Sequence, residues 1–343
     1  VNDIATRLER QASACEAMGS AFTAILLREA AADARHELLL AALLQPLSKY
    51  ARPGLHLAGA LHYLALLGEP ALARHYPSTG GDGDARSAWI AARAAFISSS
   101  SRFAPMLARM PQTNEPARSM PLLAAFAWLS ARFEMPLRLR EVGASAGLNL
   151  RFDRYRYDGG NWQWGDARSS LLLRNRIVAG TPENIDARII VDDRIGCDLN
   201  PLDATKEEDR LRLTSFVWPD QTERLTRLRN ALAIAREFPV EIDAEAFATW
   251  LPRKGIPRRG ALTVVFHTIV EEHLSSREKS DLAATIGRLG DRASSEAPFA
   301  HVRMELEDGG YRTCVQVWPN ASDPVAICES DGHAQGIIWA VPA

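Results

Sequence analysis

The chain has 343 residues, of which 47% are hydrophobic and 24% charged, enough for two domains or one large decorated one of ordinary globular composition. A formal net charge of -2 gives no general pull towards nucleic acid or anionic lipid. Four scattered cysteines without C-x-x-C spacing exclude a disulfide framework or a structural zinc site and fit a reducing compartment.

From the N-terminus, "VNDIATRLERQASACEAMG" carries Asp3, Arg7, Glu9 and Arg10 where a signal peptide needs an apolar run. The longest apolar runs, such as "LLLAALL" at 38–44, fall far short of the ~20 residues that cross a bilayer. A cytoplasmic protein without a membrane partner is expected. Residues 1–133 read as helices throughout. Ile4, Leu8, Cys15 and Met18 keep helical spacing, and "LHLAGALHYLALLG" runs from Pro53-Gly54 to a stop at Gly68. "ARSAWIAARAAFISSSSRFAPMLARM" gives one or two further helices and "MPLLAAFAWLSARF" a last one. Between them "PQTNEPARS" sets Gln112, Thr113, Asn114 and Glu115 in a row, an N-cap and turn or a polar lid over a pocket.

The pattern changes at Pro136. "PLRLREVG" alternates and ends in glycines, a strand running into a turn. "YRYDGGNWQWG" is a hairpin about Asp158-Gly159-Gly160 within an insertion spanning about 151–190, and its Trp162 and Trp164 are expected to sit over the pocket as lid residues. Strands follow in "ARIIVDDRIGCDLNPLD", "PVEIDAEAF" and the β-branched "ALTVVFHTIV", with helices at "WPDQTERLTRLRNALAIAREF" and "KSDLAATIGRLG". "APFAHVRMEL" and three more strands without intervening helices close the chain. The expected organisation is a helical domain over 1–133 and an α/β domain over 134–343. Its sheet should be mostly parallel with antiparallel C-terminal strands.

"REVGASAGLNL" at 140–150 admits two readings. As Gly143-x-Ser145-x-Gly147 it is a nucleophile elbow, with Asp220 or Asp243 and His267, His301 or His333 downstream in hydrolase order. An elbow sits mid-sheet, whereas this strand is the first of its domain, and no HGGG-type oxyanion segment precedes it. As Glu141 followed by a glycine turn, it is a cradle for a nucleotide-like cofactor. That reading asks for a ribose-gripping acid after the second strand, met by Asp198, and a polar residue after the third, met by Asp243. A fourth strand should end at the reacting centre, and "VVFHT" supplies His267, an imidazole suited to general-base work. His267 and His273 are six apart with Glu271 and Glu272 between, not on one helical face, so no metal site is expected.

"EVGASAGLNL", "GCDLNP", "EIDAEA" and "VVFHTIV", in that order, resemble the successive motifs of class I S-adenosylmethionine-dependent methyltransferases. With "YPSTGG", "PQTNEPARS", "VWPDQTERL" and "RMELEDGG", the chain also resembles domain-of-unknown-function family 2332, an uncharacterised bacterial family. The resemblance implies a Rossmann-like methyltransferase sheet capped by the helical domain, S-adenosylmethionine as cofactor and a small-molecule substrate. Glu141, Gly143, Ala144, Ser145, Gly147 and Asn149 would form the methionine-side turn, Asp198 would hold the ribose, and Asp243 with Ala244 would line the adenine. His267 and Glu305 would stand at the transferred methyl. A non-catalytic or nucleotide-binding member of that fold is the alternative. The sequence departs from the pattern in Ser145, where a glycine is usual, and in the 55 or so residues from Gly143 to Asp198, against ~20 in a simple βαβ unit.

Overall fold

The computed structural model describes residues 2–98, 105–320 and 323–340, with the side chains of residues 2 and 3 left aside. Part of the expected helical stretch, residues 99–104, and the last residue of "GIIWAV" at 336–341, the last of the expected C-terminal strands, lie outside this range. The chain divides into two units, 1–113 with 205–229 and 114–204 with 230–343. Sequence placed the division at 133; the structure assigns the Ser119–Phe133 helix to the second unit and returns 205–229 to the first.

The first unit is helical. Asn2–Ala17 buries Ile4, Leu8, Ala12 and Cys15 along one stripe, and Ala21–His36 begins at Ser20, whose hydroxyl accepts from Thr23 N–H. Pro53–Leu66 is apolar nearly all round and is accordingly buried nearly all round. The Glu207–Ser215 helix, hidden from sequence reading by its charge, packs beside Pro53–Leu66 with Leu213 buried, and Trp218 joins the core. Asp220 stands just before the helix Thr222–Glu237. It accepts from Ser20 Oγ (2.6 Å) and Phe22 N–H (2.9 Å), holding the start of Ala21–His36.

The second unit is a mixed α/β structure. In chain order its strands are β1 (Leu137–Val142), β2 (Arg156–Asp158), β3 (Gln163–Trp164), β4 (Leu172–Leu173), β5 (Arg176–Ala179), β6 (Val191–Asp198), β7 (Glu241–Ala244), β8 (Leu262–Thr268), β9 (Phe299–Glu307), β10 (Gly310–Trp318), β11 (Val325–Ser330) and β12 (Gly336–Trp339). A nine-stranded sheet has the order β5-β12-β11-β10-β9-β8-β1-β6-β7, and β3-β2-β4 form a small second sheet. β7, β6, β1, β8 and β9 run parallel, then β9 to β12 pair antiparallel as expected of the C-terminal strands. The inserted segment supplies β5, a parallel strand beyond β12 that sequence did not show.

β8 is buried along its whole length, the state its "LTVVFHT" run calls for when both faces are covered. On one face Phe266 packs edge-on to Phe126 of the Ser119–Phe133 helix. On the other, Val265 joins Trp250 and Leu251 of Phe247–Lys254 and Leu282, Ile286 and Leu289 of Ser276–Gly290. The parallel strand order reverses between β1 and β8, and crevices at such reversals, off the strands' carboxyl ends, are where open α/β sheets take ligands. Among the described residues no helix is long and apolar enough to cross a membrane.

Candidate functional site

The turn after β1 is sharp. Gly143, Ser145 and Gly147 all have positive φ, at 69°, 54° and 66°. A side chain on Gly143 would place its Cβ 2.6 Å from Val270 Cγ2 in the turn after β8, so the two turns approach closely only with glycine there. The turn is held from behind. Ala144 N–H donates to Cys197 O (3.0 Å), and Arg151, which sequence reading missed, gives its guanidinium to the carbonyls of Ala146 and Gly147 (2.9 and 2.8 Å). Tyr155 donates to Leu148 O at 2.6 Å. Nothing in the sequence distinguishes Arg151 from a surface arginine.

Glu141 is 1% exposed. Its Oε1 accepts from Asn149 Nδ2 (3.4 Å), whose Oδ1 in turn accepts from Ser119 Oγ (3.1 Å). Burial drives the Glu141 carboxyl well above the usual range, reinforced by the charge of Asp198 and opposed by Arg151 and Arg118. Glu141 Oε2 and Ser145 Oγ are both buried and hydrogen-bond to no described residue. Buried polar atoms are nearly always paired, so these two, one near the end of β1 and one on the turn that follows it, are exceptions that call for an explanation.

Asp198, at the end of β6, accepts from Ser145 N–H with Oδ2 (2.9 Å) and from Asn200 N–H with Oδ1 (2.8 Å). Its carboxylate therefore ties β6 to the β1 turn. Register puts Glu141 beside Gly196, hence on the same sheet face as Asp198 and Ala244, while Asp243 pairs with Cys197 on the opposite face. There Asp243 accepts from Trp250 Nε1 (2.7 Å). The structure thus gathers Glu141, Ser145, Asn149 and Asp198, and turns the Asp243 carboxylate away from them.

His267 follows Phe266, the β8 partner of Glu141, so it too faces away from Glu141. Fully buried, it places Nδ1 2.6 Å from Glu305 Oε1 and Nε2 3.0 Å from His301 Nε2. Burial holds the His301 imidazole well below its usual range, with His267 and Arg303 adding to the effect. The expected His267–Glu305 pair is therefore present, with His301 as a third member that sequence did not single out. Glu305 also accepts from Val270 N–H (2.9 Å) and Glu271 N–H (3.2 Å), which fixes the turn where Ile269 adopts a φ of 56°. Against the expectation of no metal, ligand atoms of His267, Glu271 and Glu305 lie within 4.8 Å of one another, though the Glu305 oxygens already accept these three donors.

Of the expected lid, Asn114 is buried and its Oδ1 accepts from Leu148 N–H (2.9 Å), directly behind the β1 turn. Glu115, also buried, caps the short helix Pro116–Arg118 by accepting from Ala117 N–H. Gln112 and Thr113 end the first segment of the first unit. Trp162 packs against Trp339 of β12, at 6.4 Å between ring centroids, and Trp164 against Phe152 and Tyr157. Both tryptophans serve packing around the small sheet. Ser145 Oγ meets no imidazole, so no nucleophile–base pair is assembled on the elbow motif.

One family model, described as "Uncharacterized protein conserved in bacteria (DUF2332)", matches residues 5–339. No protein of curated function matches the chain.

Proposed function

From the premise that the chain belongs to the bacterial family DUF2332, we propose that it is an S-adenosylmethionine-dependent methyltransferase acting on a small molecule in the cytoplasm. The carrying observation is the pair of buried, unpartnered atoms, Glu141 Oε2 near the end of β1 and Ser145 Oγ on the left-handed glycine turn that follows, at the strand-order reversal. The five parallel strands also follow the 3-2-1-4-5 order of doubly wound nucleotide-binding sheets, which supports a Rossmann-like reading. The residues fit the cofactor's amino-acid end. Glu141 Oε2 would take the α-ammonium, Ser145 Oγ would give a hydroxyl contact, and Asp198 would keep the turn in register beside the ribose.

The bound cofactor supplies a methyl group already activated on a sulfonium. The chain's own task is therefore chiefly to orient and to exclude water. Asn114, Arg151 and Tyr155 keep the turn rigid, and Asn149 holds the Glu141 carboxyl in place. The His267–Glu305 pair lies on the opposite sheet face from Glu141 with both imidazole nitrogens engaged, by Glu305 and His301, so the expected role of base at the transferred methyl is not carried into this proposal.

Titration calorimetry of the full chain with S-adenosylmethionine and S-adenosylhomocysteine tests the proposal. Binding of both is expected, weakened about tenfold or more by Asp198→Ala through the loosened turn. Absence of heat at millimolar ligand with natively folded protein overturns it. Tight binding of adenosine alone, indifferent to the methionine portion, would favour a nucleotide-binding member without transfer.

A further inference from the structure

We infer that Ser78 and His62 form a second chemical site, within the helical unit: a serine nucleophile and its base, suited to acyl transfer from a carboxylic ester. His62 lies on the Pro53–Leu66 helix and is 1% exposed. Its Nδ1 is 3.1 Å from Ser215 O, and its Nε2 is 2.8 Å from Ser78 Oγ. A carbonyl oxygen only accepts, so Nδ1 carries the ring proton. Nε2 is then bare, and the Ser78 hydroxyl must be the donor. Nucleophile, base and an orienting acceptor on the far ring nitrogen stand in the order that activates a serine.

The surroundings keep this geometry fixed. The imidazole stacks on Tyr76 at 5.6 Å and 19° between planes. Ser78 sits partly exposed in the short turn Pro77–Thr79, and the loop around it is tied down. Gly81 N–H donates to Tyr76 O (3.0 Å), Asp82 N–H to Arg74 O (2.9 Å), and Gly83 N–H to His75 O (3.2 Å). Thr79, next in sequence, spends its hydroxyl on the carbonyls of Ala73 and Tyr76, whereas Ser78 aims its own at the imidazole. Burial lowers the His62 pKa to about 4, the Ser215 and Val217 carbonyls opposing, so the ring is neutral and able to accept a proton at neutral pH. No charged side chain contributes to that shift.

In the step itself, Ser78 Oγ bonds to the ester carbonyl carbon as its proton passes to His62 Nε2. His62 returns that proton to the departing alkoxide, which leaves as the alcohol and gives an acyl-Ser78. Water, losing a proton to the same Nε2, then releases the carboxylic acid and restores the serine.

The test is labelling of the full chain with an alkyl fluorophosphonate, located by mass spectrometry of the tryptic peptides. One adduct on Ser78 is expected, absent in Ser78→Ala and slowed about 100-fold or more in His62→Gln, in keeping with the usual contribution of a positioned base. Because His62→Gln removes a core side chain, the wild-type pH profile gives an independent reading. The labelling rate should be level from neutral pH down to about 5 and fall below that as the buried ring protonates near 4. No adduct on Ser78 in natively folded protein, alongside a serine esterase that is labelled, overturns the inference. So does a rate that climbs in proportion to hydroxide across the whole range.

Discussion

At the scale of single residues, Glu141 carries the most chemistry. A carboxyl buried this completely, with one oxygen unpaired, holds its proton well above the usual carboxylate range. A cationic ligand group brought against Oε2 reverses that preference, because an adjacent positive charge stabilises the carboxylate. At any pH where Glu141 is protonated in the free protein, binding of S-adenosylmethionine is therefore expected to release that proton. Affinity should rise with pH, by up to about tenfold per pH unit, until Glu141 ionises in the free protein. The measurable sign is a binding enthalpy at fixed pH that differs between phosphate and Tris buffers by their ionisation heats. In Glu141→Gln that difference should vanish. Equal enthalpies in both buffers with wild-type protein would show that Glu141 does not meet the ligand's charge. The same residue shapes stability. Its folded pKa lies above the unfolded value, so its contribution is complete below about pH 4.5 and is lost progressively as pH rises towards the folded value.

At the scale of elements, the turns after β1 and β8 depend on one another. Gly143→Ala puts an L side chain at a φ of 69° and its Cβ against Val270. A cost of about 2–4 kcal/mol is expected from the left-handed backbone and the overpacking together. Urea unfolding should show a lower midpoint with an unchanged slope; a midpoint equal to wild type would mean that the β8 turn yields freely. Much at this scale was legible in sequence. "REVGASAG" announced a strand entering a glycine turn, and "LTVVFHT" a strand covered on both faces, since those local patterns are set by backbone geometry and burial. The parity of side chains between strands was not legible. Whether His267 shares a face with Glu141 depends on the β1–β8 register, which places Glu141 opposite Phe266. Partners far apart in the chain were equally hidden. Asp220 holds a helix start some 200 positions upstream, and Asn114 supports a turn that follows a whole helix and strand later. The tryptophans of the insertion read as lid residues because their partners, Trp339 and Phe152, lie outside the hairpin.

At the scale of the whole molecule, the helical unit is discontinuous. Its core includes Trp218, and the His62 imidazole donates to the carbonyl of Ser215, both from the returning segment 205–229. A fragment ending at residue 133, the division expected from sequence, lacks that segment while keeping the Ser119–Phe133 helix, which belongs with the sheet. Such a fragment should show helical far-ultraviolet dichroism without a cooperative melt and with poorly dispersed amide resonances. A sharp thermal transition and dispersed spectrum from 1–133 would mean that the first segment alone closes the core. The second unit, with its nine-stranded sheet, draws likewise on two segments, 114–204 and 230–343.

The interrupted layout sets a timetable for the nascent chain. The first unit cannot be completed until the 91 residues of 114–204 have left the ribosome and 205–229 have followed them. At about 5–20 residues per second, residues 1–113 wait roughly 5–25 s with part of their apolar surface uncovered. During that interval the β1 turn is already synthesised, but Asp198, which fastens it, arrives only near the end. A chaperone acting co-translationally would thus meet this protein as an unfinished helical unit, followed by a first strand whose neighbours have not yet been made.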